Sequence, residues 1–348
     1  MTRAVIADDS SVMRQILTEI VESGDIEVVA SVENGLEAVR AIEEHEPDVA
    51  TIDLEMPKMG GLEVIERVMA DNPTPMLVIS AHSQQGADKT FDALEAGAVD
   101  FLAKPSGELS VDIWSKREEI VAKVRAVAES SATRTSRGQP EPTATQAVSA
   151  VDFPNDPTLI IGASTGGPRV VERVLSELPH EANFRILVVQ HMADHYTGRF
   201  ARRLDEKTAY DIREAADGDR VQPGEAVVAK GGYHLPVTGF RDRCPVVAHD
   251  DGPKRHNVRP AIDTTMETAA EVVTGNLVGV ILTGMGADGA TGISAIKRAG
   301  GKTIAQDEAT SRVYGMPNVA AETGDVDMIL PESRIAEGIT NAFRGWST

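Results

Sequence analysis

A serine, a histidine and an aspartate in the second half of the chain have the chemistry for acyl transfer. Ser164 stands in Gly162-Ala163-Ser164-Thr165-Gly166-Gly167-Pro168, directly after an apolar run at 158–161 and ahead of a helical pattern reaching about residue 178. Gly-x-Ser-x-Gly at a strand–turn–helix junction projects a strained serine at a sheet edge, and the N–H groups that open the helix can stabilise an oxyanion. A phosphate-cradling glycine loop is the competing reading. Against it, Gly-x-Gly-x-x-Gly is absent and no acidic residue follows the next strand to hold a ribose. Of the eight histidines, His191 follows the apolar run 186–190 and so shares the strand-end position of Ser164. His191 and His195 are also spaced i, i+4, which holds a metal when both lie on one helix. Met192 stands where a zinc protease carries Glu, and no third ligand is evident. A histidine simply packed at a strand end is the plain alternative. Asp288 follows the run 277–282 in the glycine-rich turn Thr283-Gly284-Met285-Gly286-Ala287-Asp288-Gly289. There it either orients the imidazole or caps the next helix. The chain order Ser, His, Asp differs from the Ser, Asp, His of an α/β-hydrolase.

A second set lies in the first half. Asp8 and Asp9 follow a strand at 4–7, Asp53 ends one at 49–53, Ser80 ends one at 76–80 and Lys104 follows one at 100–102. Three carboxylates at one edge repel each other unless a divalent cation sits among them, and oxygen ligands with retained water suit Mg²⁺. A lysine and a hydroxyl at the same edge suit a phosphoryl group accepted by a carboxylate. The bland reading makes Asp8 and Asp9 caps of a helix starting near Ser11.

These sets need elements to position them. Both halves alternate short apolar strands (27–31 is another) with amphipathic helices such as 35–44 and 110–129, which implies parallel sheets covered on both faces. The expected class is α/β with two doubly wound parallel-sheet domains, whose ligands bind at the carboxyl ends of the strands. The boundaries fall at 1–129 and 158–348. Between them, 130–157 contains a Ser-, Thr- and Ala-rich stretch that reads as a flexible linker. The net charge is −20, with 26 acidic against 11 basic residues in 1–129 and 25 against 21 in 158–348. Such acidity argues against nucleic acid and anionic membrane as partners. With 24 Arg and only 10 Lys, the balance fits a salt-rich cytoplasm. The single cysteine, Cys244, excludes an internal disulfide framework. No transmembrane helix or signal peptide is expected, so a cytoplasmic location is.

ADDS (7–10), IDLEMPKMGGLE (52–63), SA (80–81) and KP (104–105) resemble the response-regulator receiver domain, which is flavodoxin-like. The resemblance implies phosphorylation of Asp53 by a chemotaxis histidine kinase and Mg²⁺ on Asp8, Asp9 and Asp53. It also implies contact of Lys104 with the phosphoryl oxygens and a switch made by Ser80 and Phe101. GASTGGP (162–168), VVQHM (188–192), GGYHL (231–235), RPAID (259–263), LTGMGADGA (282–290), AQDEATS (305–311) and YGMPNVA (314–320) resemble the Rossmann-like catalytic domain of chemotaxis protein-glutamate methylesterases, the CheB family. Lys230 and Ala261 depart from that family's pattern, at Pro and Ser positions respectively. The resemblance implies a Ser164–His191–Asp288 triad and oxyanion donors at Thr165 and Met285. No cofactor is implied at the esterase site. The implied activity is phosphorylation-regulated hydrolysis of glutamyl methyl esters on chemoreceptors, with deamidation of receptor glutamines. A small-molecule serine esterase under receiver control and a non-catalytic adaptor are the alternatives. A monomer is expected.

Overall fold

The computed structural model describes residues 1–80, 84–104, 111–130, 153 and 157–344; the side chains of residues 80, 84, 85, 111 and 112 lie outside that description. The chain forms two compact units, Met1–Arg137 and Gly138–Thr348. Most of the expected linker, together with Ala81 and Pro105, lies outside the described residues.

The first unit runs β1 (Thr2–Ala7), α1 (Ser11–Glu22), β2 (Ile26–Val32), α2 (Gly35–His45), β3 (Val49–Asp53), α3 (Gly61–Asp71), β4 (Met76–Ser80), α4 (Gln84–Ala96), β5 (Asp100–Ala103), α5 (Val111–Ser115) and α6 (Arg117–Ala128). Its sheet order is β2-β1-β3-β4-β5 with every pairing parallel, the flavodoxin-like order. The order reverses between β1 and β3, so Asp8, Asp9 and Asp53 stand at the switch point where such sheets bind ligands. α1 shows how the sequence builds a covering helix. Met13, Ile16, Leu17, Ile20 and Val21 recur on one face and are buried on the sheet. Ser10, and neither aspartate before it, caps this helix by accepting from Met13 N–H at 3.3 Å. The single helix expected at 110–129 is two, broken at Lys116, whose ψ of 9° departs from helical geometry. Gly61 has a packing reason: a β-carbon there would lie 2.1 Å from the Asp53 carbonyl oxygen.

The second unit runs β6 (Thr158–Ala163), α7 (Gly167–Glu177), β7 (Arg185–Gln190), α8 (Asp194–Lys207), β8 (Asp211–Glu214), β9 (Glu225–Val228), β10 (Val237–Arg241), β11 (Cys244–Val247), α9 (Ile262–Val272), β12 (Leu277–Ile281), α10 (Ala290–Arg298), β13 (Lys302–Gln306), α11 (Met316–Glu322), β14 (Met328–Leu330) and α12 (Ile335–Arg344). Seven strands pair in parallel in the order β14-β13-β12-β6-β7-β9-β8. β6, β7 and β12 are buried along their whole length, as strands covered on both faces must be. The connections from β6 run outward through β7, and the chain later returns to place β12 on the other side. The switch point of this sheet therefore lies between β6 and β12. β10 and β11 form a separate antiparallel hairpin, turned by Asp242 and Arg243 at φ 48° and 64°. Among the described residues no helix is long and apolar enough to cross a membrane.

Candidate active site and phosphorylation site

Ser164 follows β6 directly, and the backbone fixes it between two neighbouring strand ends. Its N–H donates to Thr283 O at 3.0 Å, just past β12. On the other side β6 pairs with β7 in the register Ala163↔Gln190, so the next residues, Ser164 and His191, stand opposite each other. His191 N–H donates to Ala163 O at 3.1 Å, and Gln190 Nε2 donates to Ser164 O at 2.9 Å. The His191 side chain is only 10% exposed, and its Nε2 lies 2.8 Å from Asp288 Oδ2. The structure thus brings serine, imidazole and carboxylate to one edge. His191 precedes α8 while His195 lies within it. The i, i+4 spacing is therefore not carried by one helix, and the alternative of a helical metal pair fails.

Asp288 is 2% exposed and held by three hydrogen-bond partners, of which His191 is one. Its Oδ2 also accepts from Ile262 N–H at 2.7 Å, and Oδ1 accepts from Asp263 N–H at 3.0 Å. Burial pushes this carboxyl up. The His191 hydrogen bond and charge, with the Asp263 and Ile262 N–H groups, outweigh burial and hold its pKa below the usual carboxylate value. Asp288 does cap a helix, though not the one that follows it. It caps α9, while the N-cap position of α10 is Gly289, at φ 98°. Asp263 answers in kind: its Oδ1 accepts from Gly289 N–H at 3.0 Å and Gly292 N–H at 2.7 Å. Thr165 is buried beside the serine, and Met285 is 38% exposed on the β12 loop. Among the described residues neither main-chain N–H of these two has a protein acceptor.

Sequence reasoning missed several of these positions. Gln190 fills the space beside Gly167, where a β-carbon would lie 2.3 Å from its Oε1. Thr283 donates its hydroxyl to Thr165 O at 3.0 Å and so ties the serine loop to the β12 loop. Asp263 lies in RPAID, a stretch already singled out, but its partners are 26 and 29 residues away and leave no local signal.

In the first unit, Lys104 Nζ donates to Asp53 Oδ2 at 2.8 Å and lies equally close to Asp8 Oδ2. The second contact is ionic only, and that buried Asp8 oxygen has no hydrogen-bond donor. Asp8 Oδ1 accepts from Ser10 N–H at 3.0 Å, and Asp53 Oδ1 from Glu55 N–H at 3.3 Å. Burial raises the Asp53 carboxyl above its usual value, with the Asp8 charge adding to it, and Lys104 only partly offsets this. Burial alone would lower the Lys104 pKa, but the two carboxylates raise it overall. Asp8, Asp9 and Asp53 each bring one oxygen within 4.8 Å of the others. An orphaned buried carboxylate oxygen amid three acids fits a hard divalent cation. Phe101 is buried on β5 with its ring edge-on to Phe91, centroids 6.3 Å apart. Ser80 ends β4, and its side chain lies outside the described atoms.

One sheet ending in acids and a lysine, and another ending in a serine, an imidazole and a carboxylate, define a response regulator whose output domain is a hydrolase. Comparison with known proteins agrees. The response regulator receiver domain matches residues 4–111, and the CheB methylesterase family matches 159–339. A protein-glutamate methylesterase/protein-glutamine glutaminase of Natronomonas pharaonis is 51% identical over 98% of this chain and 97% of its own length. The protein of that name from Halobacterium salinarum is 47% identical over 99% of both chains. The crystal structure of the Thermotoga maritima CheB methylesterase catalytic domain is 39% identical, with a TM-score of 0.51 over 53% of this chain and 97% of that one. The chain belongs to the CheB family of protein-glutamate methylesterase/protein-glutamine glutaminases.

Proposed function

We propose that this chain hydrolyses glutamyl methyl esters on chemoreceptors, releasing methanol, and deamidates receptor glutamines, under control of phosphorylation at Asp53. The observation that carries the proposal is the 2.8 Å His191–Asp288 contact at the strand end beside Ser164. Ser164 Oγ attacks the side-chain carbonyl carbon while His191 takes its proton. With Nε2 turned to Asp288, the ring nitrogen left for that proton is Nδ1. Asp288 stabilises the imidazolium and fixes its tautomer. The N–H groups of Thr165 and Met285 receive the oxyanion. His191 then returns the proton to departing methanol, or to ammonia from a glutamine. Water, deprotonated by His191, hydrolyses the acyl-enzyme and frees Ser164.

In the receiver, residues 1–129, Asp53 is the phosphate acceptor and a histidine kinase the donor. Asp8, Asp9 and Asp53 would hold Mg²⁺, which neutralises charge at the phosphoryl group when bound. Lys104 pairs with the phosphoryl oxygens, and Ser80 and Phe101 shift in response. Residues 130–157 join the receiver to the catalytic domain, 158–348, as a flexible linker. The setting is the cytoplasm, where receptor signalling domains present their glutamyl esters. Methanol release from methylated receptor membranes, with and without a small-molecule phosphodonor, tests the reading. Ser164→Ala should abolish release; retained release would end it.

A further inference from the structure

Beside Ser164, the start of α7 gathers positive charge that no ion pair answers among the described residues. α7 has no acidic residue in its first turn, where the helix dipole favours one. Arg169 stands there instead. It is exposed and, among the described residues, has no hydrogen bond or ion pair. Over the same turn lies Arg312, whose stem packs on Gly166. A β-carbon on that glycine, which sits at φ 74°, would lie 2.6 Å from Arg312 Cβ and 2.7 Å from Cγ. The next residue is tied to the serine loop, since Thr283 Oγ1 accepts from Val313 N–H at 2.9 Å. Arg312 Nη1 is buried and, among the described residues, has no hydrogen-bond partner. Burial and the Arg169 charge hold this guanidinium below its usual pKa, and the Glu332 charge offsets them only in part.

Acids are not scarce in a chain with 54 of them against 34 bases. Arg173, one turn along the same helix, is paired with Glu177 at 2.9 Å and Glu332 at 3.3 Å. A guanidinium nitrogen buried without a partner is costly, and a second arginine charge acting on it at a helix N-terminus makes it more so. Placed within a few residues of a nucleophile, the pair is arranged for a ligand that supplies the missing charge. The reacting ester or amide is neutral and cannot be that ligand. A carboxylate matches the planar fork of arginine.

We propose that Arg312 and Arg169 form an anion subsite for a carboxylate of the receptor polypeptide flanking the reacting glutamyl side chain, so that esters set among acidic residues are preferred. The proposal rests on the methylesterase reading of Ser164. It is tested with the full chain and two peptides carrying the same glutamyl methyl ester, flanked by glutamates in one and glutamines in the other. The wild-type protein should show a kcat/KM for the acidic peptide roughly tenfold or more above the neutral one, as charge-assisted hydrogen bonds provide. The preference should shrink as salt rises. Arg312→Gln and Arg169→Gln should each bring the ratio toward unity, and Arg169→Glu should invert it. Because each ratio is taken within one protein, a reduced folded fraction cancels, and the exposed Arg169 keeps the test available if Arg312→Gln does not fold. Equal turnover of both peptides by the wild type, or an unchanged ratio in the variants, overturns the subsite and leaves the esterase standing. Methanol from neither peptide overturns both.

Discussion

Asp288→Asn preserves size and removes one charge and one acceptor. In the native site Oδ2 faces His191 Nε2 and Ile262 N–H, while Oδ1 faces Asp263 N–H. The amide does best with its oxygen toward the two donors and its NH₂ toward the third. Asp263 N–H then loses its acceptor, at a cost of about 1–3 kcal/mol in stability. The catalytic loss is separate. An imidazolium forms only as Ser164 gives up its proton, and the carboxylate charge lies about 4 Å from the ring's charge centre. At an effective dielectric of about 20 that attraction is worth about 4 kcal/mol. Its loss should lower kcat about a thousandfold. KM should hold, because the ion pair is absent from the ground state. Initial rates of methanol release, with thermal unfolding measured alongside, separate the two effects. A variant that keeps kcat within tenfold of the wild type while folding normally would refute the reasoning. Asp288 would then be a helix cap and nothing more.

Asp53→Asn should retain basal methanol release and lose all stimulation by phosphodonor; normal stimulation would place the switch elsewhere. Millimolar Mg²⁺ should raise the wild-type melting temperature by linkage, with chelator reversing it and Asp53→Asn weakening it; a shift equal in both proteins would move the metal off these carboxylates. Acid should destabilise the second unit. Glu267 is held below its usual pKa by Arg255, while Asp288 and Asp327 are lowered by their partners in spite of burial. A depressed folded pKa gives stability that is present above the unfolded value and lost as pH falls through the folded one. Stability from these groups should therefore be intact at pH 6 and decline below about pH 4. A second-unit transition unchanged at pH 3 would contradict those assignments.

The strands that carry chemistry were legible because they are short, buried and apolar, and each stops at a polar residue. The runs at 49–53 and 76–80 match β3 and β4 in full, and 186–190 misses β7 only at Arg185. Arg185 is buried and charged, so an apolar count excludes it. The region from Asp211 to Val247 was not legible. β8 and β9 have four residues each, and the β10–β11 hairpin turns on Asp-Arg where Asn-Gly would have announced it. The break at Lys116 was also hidden, since the residues on either side continue one helical pattern.

The two readings of Asp288, orienting carboxylate and helix cap, proved not to be rivals. A local rule assigns the cap to the next helix in the chain, and that assignment fails because α10 begins at a glycine with positive φ. What the fold does is exchange aspartates: Asp288 receives the first N–H groups of α9, and Asp263 receives those of α10. The same Oδ2 that accepts from Ile262 N–H meets His191. The α9 backbone donors therefore set where the carboxylate sits, and they add to the His191 hydrogen bond and charge that keep it ionised. The geometry of the His191–Asp288 pair is thus a by-product of two helix starts that satisfy each other, and these donors, together with His191, are why burial does not neutralise the acid.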